Sequence, residues 1–189
     1  IPTLSELLPA LSEKKHKVFT IVDALDGFTQ LELDEQSSYL TTMHSPWGRY
    51  RWLRLPYGVS SAPEEFQKNI QEGLEGLPGV ANIADDIMVY GLGDTPEAAE
   101  QEHDTNLRAL LKRVREINLK LNPKKVQFKM KKIAFMGHQI TELGLKPDPN
   151  KVSSITEMPT PTDKQSVQRF IGMITYLSEF CPQLSTVIR

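Results

Sequence analysis

Two adjacent aspartates, Asp85 and Asp86, stand between two apolar arms at residues 80–83 and 87–90. Apolar runs of that length on either side of a short polar step read as a β-hairpin with the acids at its tip. Two carboxylates about 4 Å apart repel by roughly 4 kcal/mol at an effective dielectric of 20. A turn uses one Asp at most, for a bond from its side chain to nearby backbone. A divalent cation would remove the repulsion, and hard carboxylate oxygens suit Mg²⁺, which keeps waters and completes its shell from substrate phosphates. A third carboxylate, Asp23, closes another apolar run at 18–22, which reads as a buried strand. An ordinary Asp-rich turn is the competing reading, and an isolated Asp-Asp pair does not decide between them.

Charge is nearly balanced, 24 acids against 22 bases for a net of −2, so its total does not advertise a nucleic-acid binder. Its distribution says more. Residues 108–132 hold ten Lys or Arg and one acid, Glu116, while residues 85–104 hold seven Asp or Glu and no Lys or Arg. Such segregation leaves room for a polyanion in one place and cations in another; a solvated helix face beside an acidic loop is the plainer reading. One cysteine, Cys181, rules out a disulfide framework and fits a reducing, intracellular setting. No apolar run nears the ~18 residues of a membrane span, so no membrane is expected. The 189 residues suit one domain or one plus a fragment. A chain opening on Ile1 reads as a piece of something longer.

Periodicity supplies the rest of the outline. Leu4, Leu7, Leu8 and Leu11 keep helical spacing over 3–13. Phe28, Leu31 and Leu33 suggest extended chain, and 39–43 with 50–55 read as strands around a Ser45-Pro46-Trp47-Gly48 turn. Pro63 marks a helix start, with Phe66, Ile70 and Leu74 on one face. A long helix is expected over 96–117, burying Leu107, Leu110, Leu111 and Val114. Short strands follow at 126–128, 133–136 and 139–141, turning at Gly137. Gly144, Pro147 and Pro149 suggest a linker, and Thr162 with Gln165 a capping box opening a helix that carries Val167, Phe170, Ile171, Ile174 and Leu177. Residues 143–189 read as a separate helical unit.

Several segments in order resemble successive motifs of reverse transcriptases, above all those of gypsy-class LTR retrotransposons. They are Asp23-Ala24-Leu25-Asp26-Gly27-Phe28, then Leu55-Pro56-Tyr57-Gly58-Val59-Ser60-Ser61-Ala62-Pro63 with Phe66-Gln67, then Ala84-Asp85-Asp86, then Leu121-Asn122-Pro123-Lys124-Lys125, then Phe135-Met136-Gly137-His138. Five ordered motifs at family spacing are far more specific than any one. The resemblance implies an α+β right-hand polymerase palm of ferredoxin-like type. Palm would occupy 1–30 and 62–142, a fingers portion 31–61, and a truncated helical thumb 143–189.

By the same resemblance Asp23, Asp85 and Asp86 would hold two Mg²⁺ or Mn²⁺ ions. Main-chain groups at Ala24 and Leu25, with Asp26 and Gly27, would lie along a deoxynucleoside triphosphate. Phe28 matches a steric gate against a ribose 2′-hydroxyl, and Tyr57 a contact on the nucleotide's sugar side. Lys125, or its neighbour Lys124, matches a lysine that protonates pyrophosphate. Met136, Gly137 and His138 resemble a primer grip. Arg49, Arg51 and Arg54, taken as alternating on one strand face, would meet template phosphates without reading sequence.

The implied function is RNA-directed DNA synthesis on a primed RNA or DNA template, inside a polyprotein with RNase H and integrase regions. A palm-fold module without activity, kept for nucleic-acid or protein contacts, is the rival. One departure stands out: the aromatic that the family places before x-Asp-Asp is Ile83 here. The basic fingers segment that precedes the Ile1 region in the family, and supplies Lys or Arg to the triphosphate, is not in this sequence.

Overall fold

The structure, a computed structural model, describes residues 16–135, 138–141 and 144–177. The expected helix at 3–13 lies outside them. Two compact units divide between Lys131 and Lys132.

The first unit is built on an antiparallel sheet. Strands β1 (His16–Asp23), β4 (Val80–Ile83), β5 (Asp86–Gly93) and β6 (Gln127–Met130) lie in the order β4-β5-β1-β6. β1 is apolar and β-branched on both faces, as a central strand with covered faces should be: its last five residues are all buried. One face of the sheet presents Val22, Ile87 and Val89 to two helices, α2 (Ala62–Leu74) and α3 (Pro96–Glu116), which answer with Phe66, Ile70, Leu74, Leu110 and Val114. Each such buried side chain contributes about 1.5–3 kcal/mol. α2 begins on Ala62-Pro63, where a missing N–H costs nothing. α3 is capped by Thr95, whose hydroxyl accepts from the Ala98 N–H. Gly91 lets α3 sit directly on β5, since a Cβ there would lie 2.2 Å from the His103 nitrogen.

Several expectations from periodicity are corrected. Gly27–Gln30 is a 3-10 turn rather than extended chain, bracketed by Thr29 N–H to Asp26 O and Leu31 N–H to Phe28 O. Residues 39 and 40 end a helix, α1 (Glu35–Leu40), because Asp34 caps it by accepting from Ser37. Only β2 (Met43–Ser45) and β3 (Gly48–Tyr50) form the hairpin. Leu111 is 41% exposed, because the buried stripe of α3 runs Ala99, His103, Asn106, Leu110, Val114 and is partly polar. The 31–61 segment is tied back by Leu33 N–H to Leu53 O and Leu55 N–H to Leu31 O. It leaves Leu40, Trp47 and Leu53 exposed.

The second unit has a three-stranded sheet, β7 (Ile133–Phe135), β8 (His138–Thr141) and β9 (Gly144–Pro147), followed by α4 (Pro149–Thr156) and α5 (Lys164–Leu177). The linker expected from Gly144, Pro147 and Pro149 is therefore an edge strand and a helix start. Pro tolerates both an edge strand and a first helical turn, and Asp148 caps α4 from the Asn150 N–H. The α5 cap is Asp163 with Ser166 rather than Thr162 with Gln165. The Asp163 carboxylate accepts from the Ser166 N–H, and the Ser166 hydroxyl accepts from the Asp163 N–H. Among the described residues no helix is long and apolar enough to cross a membrane.

Candidate active site

The three aspartates meet at one end of the first sheet. Asp23 ends β1 directly opposite Asp86, the first residue of β5. Ile83 pairs with Asp86 as well, so β4 and β5 join through the two-residue turn Ala84-Asp85. Such a turn needs positive φ, normally given by glycine; here Ala84 takes φ 50°. Gln67, one residue after Phe66 on α2, secures it: its Oε1 accepts from the Ala84 N–H and its Nε2 donates to Asn82 O. Asp23 is 8% exposed. Burial first, then the Asp23 charge, pushes the Asp85 carboxyl above the usual range. Asp86 is pushed the same way by burial, by Asp23 and by Asp85. Lys125 opposes both shifts.

That lysine sits on Asp23. Its Nζ donates to Asp23 Oδ1 at 3.0 Å and to Oδ2 at 3.1 Å, and the contact raises its own pKa. The loop before it is pinned to the end of β1: the Asn122 N–H donates to Asp23 O at 2.8 Å, and the Lys125 N–H to Asn122 O. Lys124 is exposed, its N–H held by the Asn122 side chain. Of the two lysines left open by the sequence, the structure thus brings Lys125 to the carboxylates.

The turn after Asp23 is also ordered. The Ala24 N–H donates to Asp85 O and the Leu25 N–H to Lys120 O. Both N–H groups thus have acceptors within the protein. Asp26 is left-handed at φ 48° and heads the 3-10 turn, so the N–H groups of Asp26 and Gly27 fall where helical geometry supplies no acceptor. Gly27 has no room for a side chain: a Cβ would lie 2.6 Å from the Phe66 ring and 2.9 Å from Asp85 Oδ1. Phe28 packs edge-on against Phe66 at 5.7 Å and tilted against Tyr57 at 5.2 Å. Tyr57 is 65% exposed and forms the open side of this aromatic group.

The remaining expected residues are elsewhere. Met136 and Gly137 lie outside the described residues. His138 opens β8 in the second unit, opposite Phe135 and Pro147. Arg49, Arg51 and Arg54 do not share a strand face, because β3 stops at Tyr50. Arg49 is exposed on the hairpin. Arg51 lies 4.1 Å over the Tyr39 ring, and Arg54 donates to Gln30 O and to Glu32. The motifs assign no role to Gln67 or Asn122, which the structure places on the hairpin turn and on Asp23. The signal for Gln67 was a glutamine beside the apolar stripe of α2.

Among the described residues no three carboxylate, imidazole or thiolate groups are gathered closely enough to hold an ion unaided. The donors still fit a hard divalent cation in kind. Asp23 and Asp86 are register partners, Asp85 is next to them, and Asp23 already holds one cation, the Lys125 ammonium.

Residues 3–140 match the family described as reverse transcriptase (RNA-dependent DNA polymerase). This chain belongs to the reverse transcriptase family. The retrovirus-related Pol polyprotein from transposon 412 of Drosophila melanogaster is 35% identical over 95% of this chain and 14% of its own length. The polyprotein from transposon opus of the same organism is 34% identical over 100% of this chain and 18% of its own. The enzymatic polyprotein of cauliflower mosaic virus (strain Strasbourg) is 32% identical over 99% and 27%. The transposon relatives place the chain with gypsy-class retrotransposons, and it spans less than a third of the length of these relatives. A foamy viral protease-reverse transcriptase in complex with double-stranded DNA shares the fold at TM-score 0.80 and 22% identity, covering 100% of this chain and 33% of that one. The same viral protein with an RNA/DNA hybrid gives 0.72 at 23% identity, over 92% and 24%. The fold of this reverse transcriptase chain is accordingly the α+β polymerase palm.

Proposed function

We propose that this chain carries the palm active site of an RNA-directed DNA polymerase, adding deoxynucleotides to a primer 3′-end. One observation carries the reading: Asp23, Asp85, Asp86 and Lys125 converge where the Asp26–Phe28 turn begins. Two divalent ions held by the three aspartates would supply Lewis acidity, activating the primer hydroxyl and steadying the leaving pyrophosphate. The chain's own residues do the positioning. The N–H groups of Asp26 and Gly27 present donors to phosphate oxygens. Phe28, wedged between Phe66 and Tyr57, fills the space beside the sugar and excludes a 2′-hydroxyl. Lys125 is the proton source for the departing pyrophosphate.

Primed RNA or DNA template is the substrate class, with the strand held through phosphates by exposed cations such as Arg49 and by a grip at Met136, Gly137 and His138. Parts 1–30 and 62–142 would act as palm, 31–61 as fingers and 143–189 as the start of a thumb. The setting would be intracellular, within a polyprotein that includes RNase H and integrase.

The test is primer extension on an RNA template with Mg²⁺ and, separately, Mn²⁺, using this chain beside a polypeptide extended upstream, with Asp85→Asn in each. Metal-dependent extension that the mutation abolishes is expected. Full extension by Asp85→Asn would sink the proposal, and silence from both folded wild types would favour a palm kept only for binding.

A further inference from the structure

The pairing of Lys125 with Asp23 has a geometry that matters for metal loading. One ammonium bridges both carboxylate oxygens, at 3.0 and 3.1 Å, so it lies on the axis that a chelated cation would use. The two partners differ in freedom. The Asp23 side chain is 11% exposed and its main chain is fixed on both sides, by the strand pairing with Asp86 and by the Asn122 N–H. The Lys125 side chain is 63% exposed, and its charge sits at the end of four flexible carbons. When a second cation competes for Asp23, the carboxylate stays and the lysine moves.

We propose that Lys125 is the resident counter-ion of Asp23, displaced when a divalent cation binds. The ammonium neutralises a largely buried carboxylate in the metal-free protein, a charge that would be strongly unfavourable there alone. It thereby holds down metal affinity until ligand and metal arrive together. Displacement then frees the same ammonium for the anion that accompanies the metal. Loading of the site and release of its lysine become one event. The inference rests on the reading of Asp23, Asp85 and Asp86 as cation ligands.

Its test needs neither nucleotide nor nucleic acid. Mn²⁺ is titrated into the 189-residue chain and free Mn²⁺ is followed by electron paramagnetic resonance, for wild type, Lys125→Met, Lys125→Arg and Asp86→Asn. Lys125→Met keeps the stem and removes the charge, and should bind Mn²⁺ about tenfold more tightly, the factor that 1.4 kcal/mol represents. Lys125→Arg keeps the charge and should stay near wild type. Equal or weaker binding by Lys125→Met, with Asp86→Asn still losing affinity, overturns displacement and leaves the polymerase reading standing. Binding indifferent to Asp86→Asn overturns both. A second measurement uses wild type alone: acylation of the Lys125 amine, read by peptide mass spectrometry, should speed up as Mn²⁺ saturates. An unchanged rate overturns the proposal even if the variants fold poorly.

Discussion

Two polar groups hang on β1 three residues apart, and they are settled in opposite ways. At Thr20, inside the protein, the hydroxyl oxygen accepts from the Lys129 N–H and meets His103 Nε2 at 2.8 Å, while His103 Nδ1 lies 3.1 Å from Asp104 Oδ1. A carboxylate only accepts, so the Nδ1–H donates to Asp104. Lys129 closes the set on Asp104 and Glu100. At Asp23, three carboxylates share one ammonium. The Asp104 carboxyl is held below its ordinary value, first by Lys129 and then by His103, whereas Asp85 and Asp86 are pushed above theirs. A network whose donors and acceptors match is scaffold. One left short of positive charge attracts a further cation.

The sharpest way to break this comparison is to neutralise one acid in each group. Asp86→Asn should lower primer extension at least about a hundredfold, a loss of about 2.7 kcal/mol in transition-state stabilisation. Asp104→Asn should keep extension near wild type once the protein is folded. Comparable losses in both, measured at a temperature where both are folded, would erase the distinction.

Stability should rank the other way. His103 is fully buried, and His103→Leu strips Thr20 and Asp104 of a partner at once, so it should cost about 2–4 kcal/mol in urea unfolding. A loss under half a kcal/mol would show that water replaces the ring. Gln67→Leu should cost about 1–2 kcal/mol by leaving the Ala84 N–H without an acceptor. Adding Ala84→Gly should recover about 1 kcal/mol, because glycine accepts φ 50° without strain. Failure of that recovery would mean that the turn is not where the cost falls.

How much of this was legible depends on what each residue answers to. Asp85-Asp86 between two apolar arms was readable because a hairpin and its tip are local, and β4 and β5 fall where the pattern put them. The end of β1 at Asp23 was readable for the same reason. Residues 28–40 were misread because caps outweighed periodicity: Asp34 turned Tyr39 and Leu40 into helix, and left-handed Asp26 wound Phe28 into a 3-10 turn. The stripe of α3 was misread because His103 and Asn106 are buried as polar groups. Their partners, Thr20 and Tyr90 O, lie 83 and 16 residues away. Nothing local announces such pairings. Lys125 was named through its motif, but its seat on Asp23 depends on the Asn122 N–H reaching back across about a hundred residues, which no spacing encodes.

The smallest effect separates the two groups most cleanly, because its sign changes. Asp85 and Asp86 bind protons more tightly in the folded protein than in the unfolded chain, so their contribution favours folding below the ordinary carboxylate pKa and is lost as pH rises through the raised values. At pH 7 their charge therefore opposes folding, and Asp85→Asn should raise the melting temperature while it abolishes extension. The gain is at most about 1 kcal/mol, since half-exposed carboxylates are screened by water. Asp104 has its pKa depressed by folding, so its contribution is present above the ordinary value and lost as pH falls through the lowered one. Asp104→Asn should lower the melting temperature at pH 7, with the difference fading in acid. Thermal melts of both variants between pH 3 and 7 decide the matter. If Asp85→Asn melts below wild type at pH 7, the carboxylates at the hairpin tip are holding the fold together instead of straining it, and the contrast between the groups at Thr20 and Asp23 disappears.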